Sequence, residues 1–181
     1  VKAGKFRRAI EYTLPEEARC HTTALPTTLP GNPTRLPRSS SDGLAAHLPR
    51  IAITTGKLDA MECVFEKIGI AHDEFANPGA DGTTSARIHL YRGGQSSDLP
   101  EGAHITGNST PFDSAVYGDL ARMQSYDMVV SDCEGGSWDG AYSFAQRNAS
   151  GPNVREYVSR GGRMFASPLS FSWLYDNGTQ A

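Results

Sequence analysis

The chain has 181 residues, 17 Lys and Arg against 20 Asp and Glu, a net charge of −3, and a hydrophobic share of 38%. That size suits one main core. The acidic balance argues against a nucleic-acid surface, because phosphate-backbone binding needs clustered Lys and Arg in excess; no run of about 18 apolar residues is present to cross a membrane.

The chain opens on Val1 without a signal-like segment, inside what reads as a strand, so it is expected to be a piece of a longer protein. Residues 1–14 alternate around Phe6, Ala9 and Ile10 as an exposed strand would. The basic cluster Lys2, Lys5, Arg7 and Arg8 reads as a solvated strand face. Residues 15–49 contain six prolines (15, 26, 30, 33, 37, 49) among many Ser and Thr, and proline removes the amide proton that helices and ladders use. This segment reads as a semi-stiff linker.

Regular structure is expected from Arg50 onward. "RIAITTG" is an apolar strand stopped by Gly56, and "LDAMECVFEKIG" places Met61, Val64, Phe65 and Ile68 on one helical face. "ARIHLYRGG" gives a second strand, in which His89 alternates with apolar residues and reads as a surface or core imidazole. Asp113 can cap a helix carrying Val116, Leu120 and Met123. "YDMVVSD" is a third strand, Pro152 is expected to open a helix that packs Val154, Tyr157 and Val158 and stops at Gly161-Gly162, and "RMFASPLSFSWLY" is a fourth strand with its exit. Strands alternating with amphipathic helices predict βαβ units and a parallel sheet over residues 50–181, an α/β class. Ligands of such sheets bind at the carboxyl ends of the strands, here the loops Thr54 to Asp59, Ser131 to Asp139 and Ser167 to Trp173.

Over about residues 50–175, "IAITTG", "YDMVVSDCEGG" and "REYVSRGGRMFAS" resemble the class I glutamine amidotransferase-like fold, including its ThuA-like branch. "LPRIAITTGKLDAMECVFEKIGI", "SDCEGG" and "GGRMFAS...SWLY" are also similar to a group of secreted bacterial surface proteins. There a carboxypeptidase-regulatory-like β-sandwich precedes such a domain, with "GKFRRAI" matching its last strand and "TRLPRS" the connector. The resemblance implies a three-layer parallel sheet, flavodoxin-like or amidotransferase-like and incomplete at the C-terminus, preceded by a strand remnant and the Pro-rich linker. It also implies an extracytoplasmic location and a surface or carbohydrate ligand. In the amidotransferase family the nucleophilic cysteine stands on the turn after the fourth strand, and the turn after the third supplies oxyanion-hole amides. Here Pro168 falls at about the cysteine's place, and Cys133 follows the third strand. The expected crevice is Thr55, Gly56, Asp132, Cys133, Glu134, Gly135, Ser167 and Pro168, with no complete Cys/His/Glu constellation. This reads as a degenerate site in a non-catalytic binding or structural module. The alternative is a ThuA-like hydrolase or sugar-processing enzyme using the same crevice.

Three readings of Cys133 stand at this point: a nucleophile opposed by the flanking anions Asp132 and Glu134, a disulfide with Cys63, and a buried thiol. A bridge would agree with export. Thr54-Thr55-Gly56-Lys57 reads as a tight βα turn rather than a phosphate loop, since GxxxxGK[ST] is missing and Asp59 and Glu62 follow. Asp132, Glu134 and Asp139 read as a solvated acidic loop without EF-hand spacing. The five histidines form no HExxH pair and the three cysteines no CxxC, so neither a metal nor a cofactor is expected. Ser167, Ser170 and Ser172 lack a GxSxG frame, and Phe171, Trp173 and Tyr175 alternate as a buried strand extension.

Overall fold

The computed structural model describes residues 1–28, 32–56, 58–79, 84–93, 109–133, 144–168 and 170, with backbone alone for 144–148. The chain divides into two compact units, Val1–Leu48 and Pro49–Ala181.

The first unit is a three-stranded antiparallel sheet in the order β1 (Lys2–Ala3), β2 (Phe6–Ala9), β3 (Leu44–His47). Ala3 pairs with Phe6, and the two-residue turn between them uses Gly4 at a φ of +58°, a conformation glycine adopts without strain. Residues 15–49, expected to be a linker, supply β3 and the acid that organises this unit. Arg8 is buried, not part of a solvated face: it pairs with Asp42 at 3.2 Å and donates to the carbonyls of Asn32 and Pro33 at 3.2 and 3.3 Å. Arg35 pairs with the same carboxylate and is the main reason that Asp42's pKa falls to about 2. One half-buried carboxylate thus closes a loop that is otherwise proline-rich and polar.

The second unit has a five-stranded, all-parallel sheet among the described residues, ordered β5 (Phe75–Ala76), β6 (Ile88–Arg92), β4 (Ile51–Thr55), β7 (Met128–Ser131), β8 (Arg163–Ala166). This is the expected α/β character. The two-residue edge strand β5 carried no sequence signal, because Phe75-Ala76 is too short for a period to show. Every residue of β4 is buried, as both faces of a central parallel strand must be. One face carries Ala52, Tyr91 and Val129, packed with Val116, Tyr117, Met123, Val154 and Tyr157 from the helices α2 (Ser114–Tyr117), α3 (Leu120–Gln124) and α4 (Phe144–Ser159).

Three helix expectations change. In α1 (Met61–Lys67) the buried residues are Glu62 and Phe65, while Val64 and Ile68 are 44% and 70% exposed. The expected single helix after Asp113 is two short ones, α2 and α3. Gly118 ends α2, and Asp119 restarts the chain by accepting from the Arg122 amide at 3.1 Å. Pro152 lies inside α4 rather than opening it, and Val158 is exposed while Val154 and Tyr157 are buried. Gly161, at a φ of +89°, ends that helix. Gly162 follows with its Cα against the Tyr157 ring, leaving no room for a side chain.

Candidate functional site

The strand order sets where a crevice can form. The chain passes from β4 to β5 and β6 on one side, and from β7 to β8 on the other, so the connections leave the carboxyl ends of β4 and β7 in opposite directions. That divergence is where open α/β sheets bind ligands.

Register then fixes which residues meet there. Thr54 is paired with Ser131, Ser131 with Ala166, and Thr55 with Arg92. The ladder continues one step, with the Asp132 amide donating to the Thr54 carbonyl at 3.1 Å and the Ser167 amide to the Ser131 carbonyl at 3.0 Å. Arg92, Thr55, Asp132 and Ser167 therefore form one row across β6, β4, β7 and β8, and neighbours in a row share a face. The structure brings together Thr55, Gly56, Asp132, Cys133, Ser167 and Pro168 of the expected crevice. Glu134 and Gly135 lie outside the described residues, as do Lys57, Asp139, Phe171, Ser172, Trp173 and Tyr175.

Gly56 is required by close approach. A Cβ there would collide with the carbonyl of Cys133 and touch the Asp132 side chain at 3.0 Å. The same carbonyl accepts from the Leu58 amide at 3.1 Å, which ties the β4–α1 turn to the end of β7. From the other side, Ser170 donates from Oγ to the Asp132 carbonyl at 2.6 Å and from its amide to the Ser167 carbonyl at 3.0 Å.

Asp132 is the chemical centre of this edge. Its sequence neighbours suggested a solvated acidic loop, yet the residue is fully buried because α1 and the elbow after β8 close over it. Oδ2 accepts from the Met61 amide at 3.2 Å, and Oδ1 has no hydrogen-bond partner among the described residues. Burial raises its pKa to about 8, with Glu62 and Asp59 adding to the rise; the Met61 amide and, less strongly, the Gly56 amide oppose it. The carboxyl is thus largely protonated at pH 7. Beside it in the row, Ser167 is buried, and its Oγ has no partner among the described residues; the same holds for the Ser131 hydroxyl on the opposite face of β7. Buried polar groups normally find partners, and exceptions mark water, ligand or catalytic positions.

The cysteines are free thiols: Cys20 is exposed, Cys63 lies part-buried in the first turn of α1, and Cys133 is buried. The Cys63–Cys133 bridge raised as one reading is not formed. Burial, then the charges of Glu62 and Glu66, push the Cys63 thiol up, away from the thiolate form that reacts. No group of three His, Cys, Asp or Glu able to hold a metal ion occurs among the described residues. No helix among them is long and apolar enough to cross a membrane.

Two contributors escaped the sequence reading. Arg92, at the end of β6, stacks 4.4 Å from the Phe112 ring centroid and stands in the same row as Thr55; its position after an apolar strand was the available signal. Glu62 is buried, hidden in the sequence by its place in a first helical turn, where acids are common. The chain matches no family model, no curated protein and no solved structure.

Proposed function

We propose that the second unit is a binding or structural module of amidotransferase-like, ThuA-like descent from an exported bacterial surface protein. In this reading the sheet is a three-layer one of flavodoxin-like or amidotransferase-like type, and its carboxyl edge is a degenerate site that holds a surface or carbohydrate ligand without transforming it. The observation that carries the reading is the state of the row at that edge. An acyl-transfer site needs a nucleophile within hydrogen-bond reach of a base, about 2.6–3.2 Å. Here the Ser167 hydroxyl has no partner among the described residues, the Ser170 hydroxyl is committed to a backbone carbonyl, and exposed Pro168 occupies the elbow. His89 belongs to another buried network, bonded to Tyr126, Thr84 and Ala86.

One observation favours the enzymatic alternative, a ThuA-like hydrolase or sugar-processing enzyme. A buried carboxyl with a pKa near 8 is the environment of a general acid, and perturbed groups of this kind concentrate at catalytic sites. The test is ammonia release from glutamine and hydrolysis of a glycoside panel by the intact chain, beside Cys133→Ala and Asp132→Asn. Neither reaction above blank is the expected result. Ammonia release lost in Cys133→Ala overturns the reading, and glycoside hydrolysis lost only in Asp132→Asn replaces it with the enzymatic one.

A further inference from the structure

Charge is divided unevenly between the two units. Val1–Leu48 carries seven Lys and Arg against four Asp and Glu, a surplus of three, whereas Pro49–Ala181 carries ten against sixteen. Two of the seven, Arg8 and Arg35, are spent on Asp42. The register of the first sheet lines up two others. Lys2 pairs with Arg7 and Arg7 with His47, so the three stand in one row across β1, β2 and β3, on the face opposite Arg8. Lys2 and Arg7 are exposed, and neither makes an ion pair with another described residue. Like charges set directly opposite one another on adjacent strands cost stability, and no acid stands in the row to offset that cost. We propose that this row is a binding site for an acidic polysaccharide, whose carboxylate or sulfate groups lie across the three strands with Arg7 at the centre.

Neighbouring strands are about 4.8 Å apart, so three of them offer basic side chains in a line about 10 Å long, perpendicular to the strands. Next to Arg7 on the same face comes the pair Ala9 and Leu44, both exposed. Ala9 is too small to cover the guanidinium, which leaves its planar fork open to a bidentate bond with a carboxylate or a sulfate. Other polyanions suit the row less well. An acidic peptide docks on a sheet by adding a strand to an edge, and the face of a sheet has no free backbone groups to pair with it. Anionic membranes recruit clusters of about four to eight Lys and Arg, more than this row holds. Nucleic acid needs more phosphate contacts than one short row can make, and aromatic platforms for its bases, where this row has the single ring of His47. The row lies within the first unit, so it stands or falls apart from the reading of the carboxyl edge.

Titration calorimetry of the intact chain with polygalacturonate and with heparin at low ionic strength, against neutral dextran as blank, tests it. Saturable binding to one or both acidic polymers is expected, weakening as salt is added. Kd for the bound polymer is expected to rise about threefold in Lys2→Gln, about fivefold in Arg7→Gln and about tenfold in the double variant, the scale of exposed charge contacts. Arg19→Gln removes the same charge from the same unit, at an exposed residue paired with Glu16, and is expected to leave Kd within about twofold of the wild type. Binding to neither polymer, an unchanged Kd in the double variant, or an equal loss in Arg19→Gln would overturn the site. So would tighter binding to phosphatidylserine vesicles or to an oligothymidylate than to either polysaccharide.

Discussion

Two buried polar regions of the same sheet differ in one respect. On the helix-covered face, His89, Tyr91 and Tyr126 form a closed chain. The Ala86 carbonyl can only accept, so His89 Nε2 carries the proton, Nδ1 accepts from the Tyr126 hydroxyl at 2.8 Å, and the Tyr126 oxygen accepts from Tyr91 at 2.7 Å. Arg50 lies 5.5 Å over the Tyr126 ring, and Tyr157 donates to the Tyr126 carbonyl at 3.2 Å. At the carboxyl edge, by contrast, Asp132 Oδ1 and the hydroxyls of Ser131 and Ser167 are equally buried and have no partner among the described residues. A satisfied network fixes a fold, whereas an unsatisfied one holds capacity in reserve. The difference separates polar groups that the fold has used from polar groups that it has not.

Substitutions can break that comparison. Gly56→Ala drives a methyl group into the Cys133 carbonyl and should have the largest effect, about 3 kcal/mol or more in urea unfolding, because backbone rather than a flexible side chain must move. Tyr126→Phe removes the hydroxyl at the middle of the satisfied chain and orphans two buried groups, so a loss of about 2 kcal/mol is expected from the same measurement. Ser170→Ala, which deletes the bond to the Asp132 carbonyl, should be milder at about 1 kcal/mol.

Acidity sharpens the contrast, because the two regions respond to pH with opposite signs. His89's pKa is lowered to about 4, by burial first and by Arg50 next. Between there and the unfolded value near 6.5 the unfolded chain binds the extra proton, so this group's contribution is complete above pH 6.5 and is lost as pH falls toward 4. The expected size is at most about 3 kcal/mol. Asp132 does the reverse: its folded pKa lies above its unfolded value, so its contribution is complete below pH 4 and is lost as pH rises to 8. Urea midpoints of Asp132→Asn between pH 4.5 and 7 should therefore show the His89 effect without its opponent, and His89→Gln in that background should abolish it.

The sheet was legible because long apolar runs in central parallel strands leave little choice: "IAITT", "IHLY" and "MVVS" all lie within strands, and a shared direction puts the residues after them in one row. Thr55, Asp132 and Ser167 could be placed together on that ground alone. Their environment could not. Nothing local distinguishes a buried Asp132 or Glu62 from a solvated one, since burial is decided by what crosses above: the elbow at Ser170 and the first turn of α1. The proline-rich segment misled for a similar reason, as β3 and Asp42 acquire structure only from β2 and the partners Arg8 and Arg35. In α1, a regular apolar spacing pointed to Val64 and Ile68, but a helix of seven residues at this edge buries Glu62 and Phe65 instead.

The most direct measurement is the carboxyl-carbon chemical shift of Asp132, followed by NMR from pH 3 to 10 in the intact chain. A midpoint near 8 is the result this account predicts. A midpoint at or below about 4, the ordinary value for a solvated aspartate, would contradict it, because the edge of the sheet would then hold a hydrated carboxylate and no reserve of unmet hydrogen bonds.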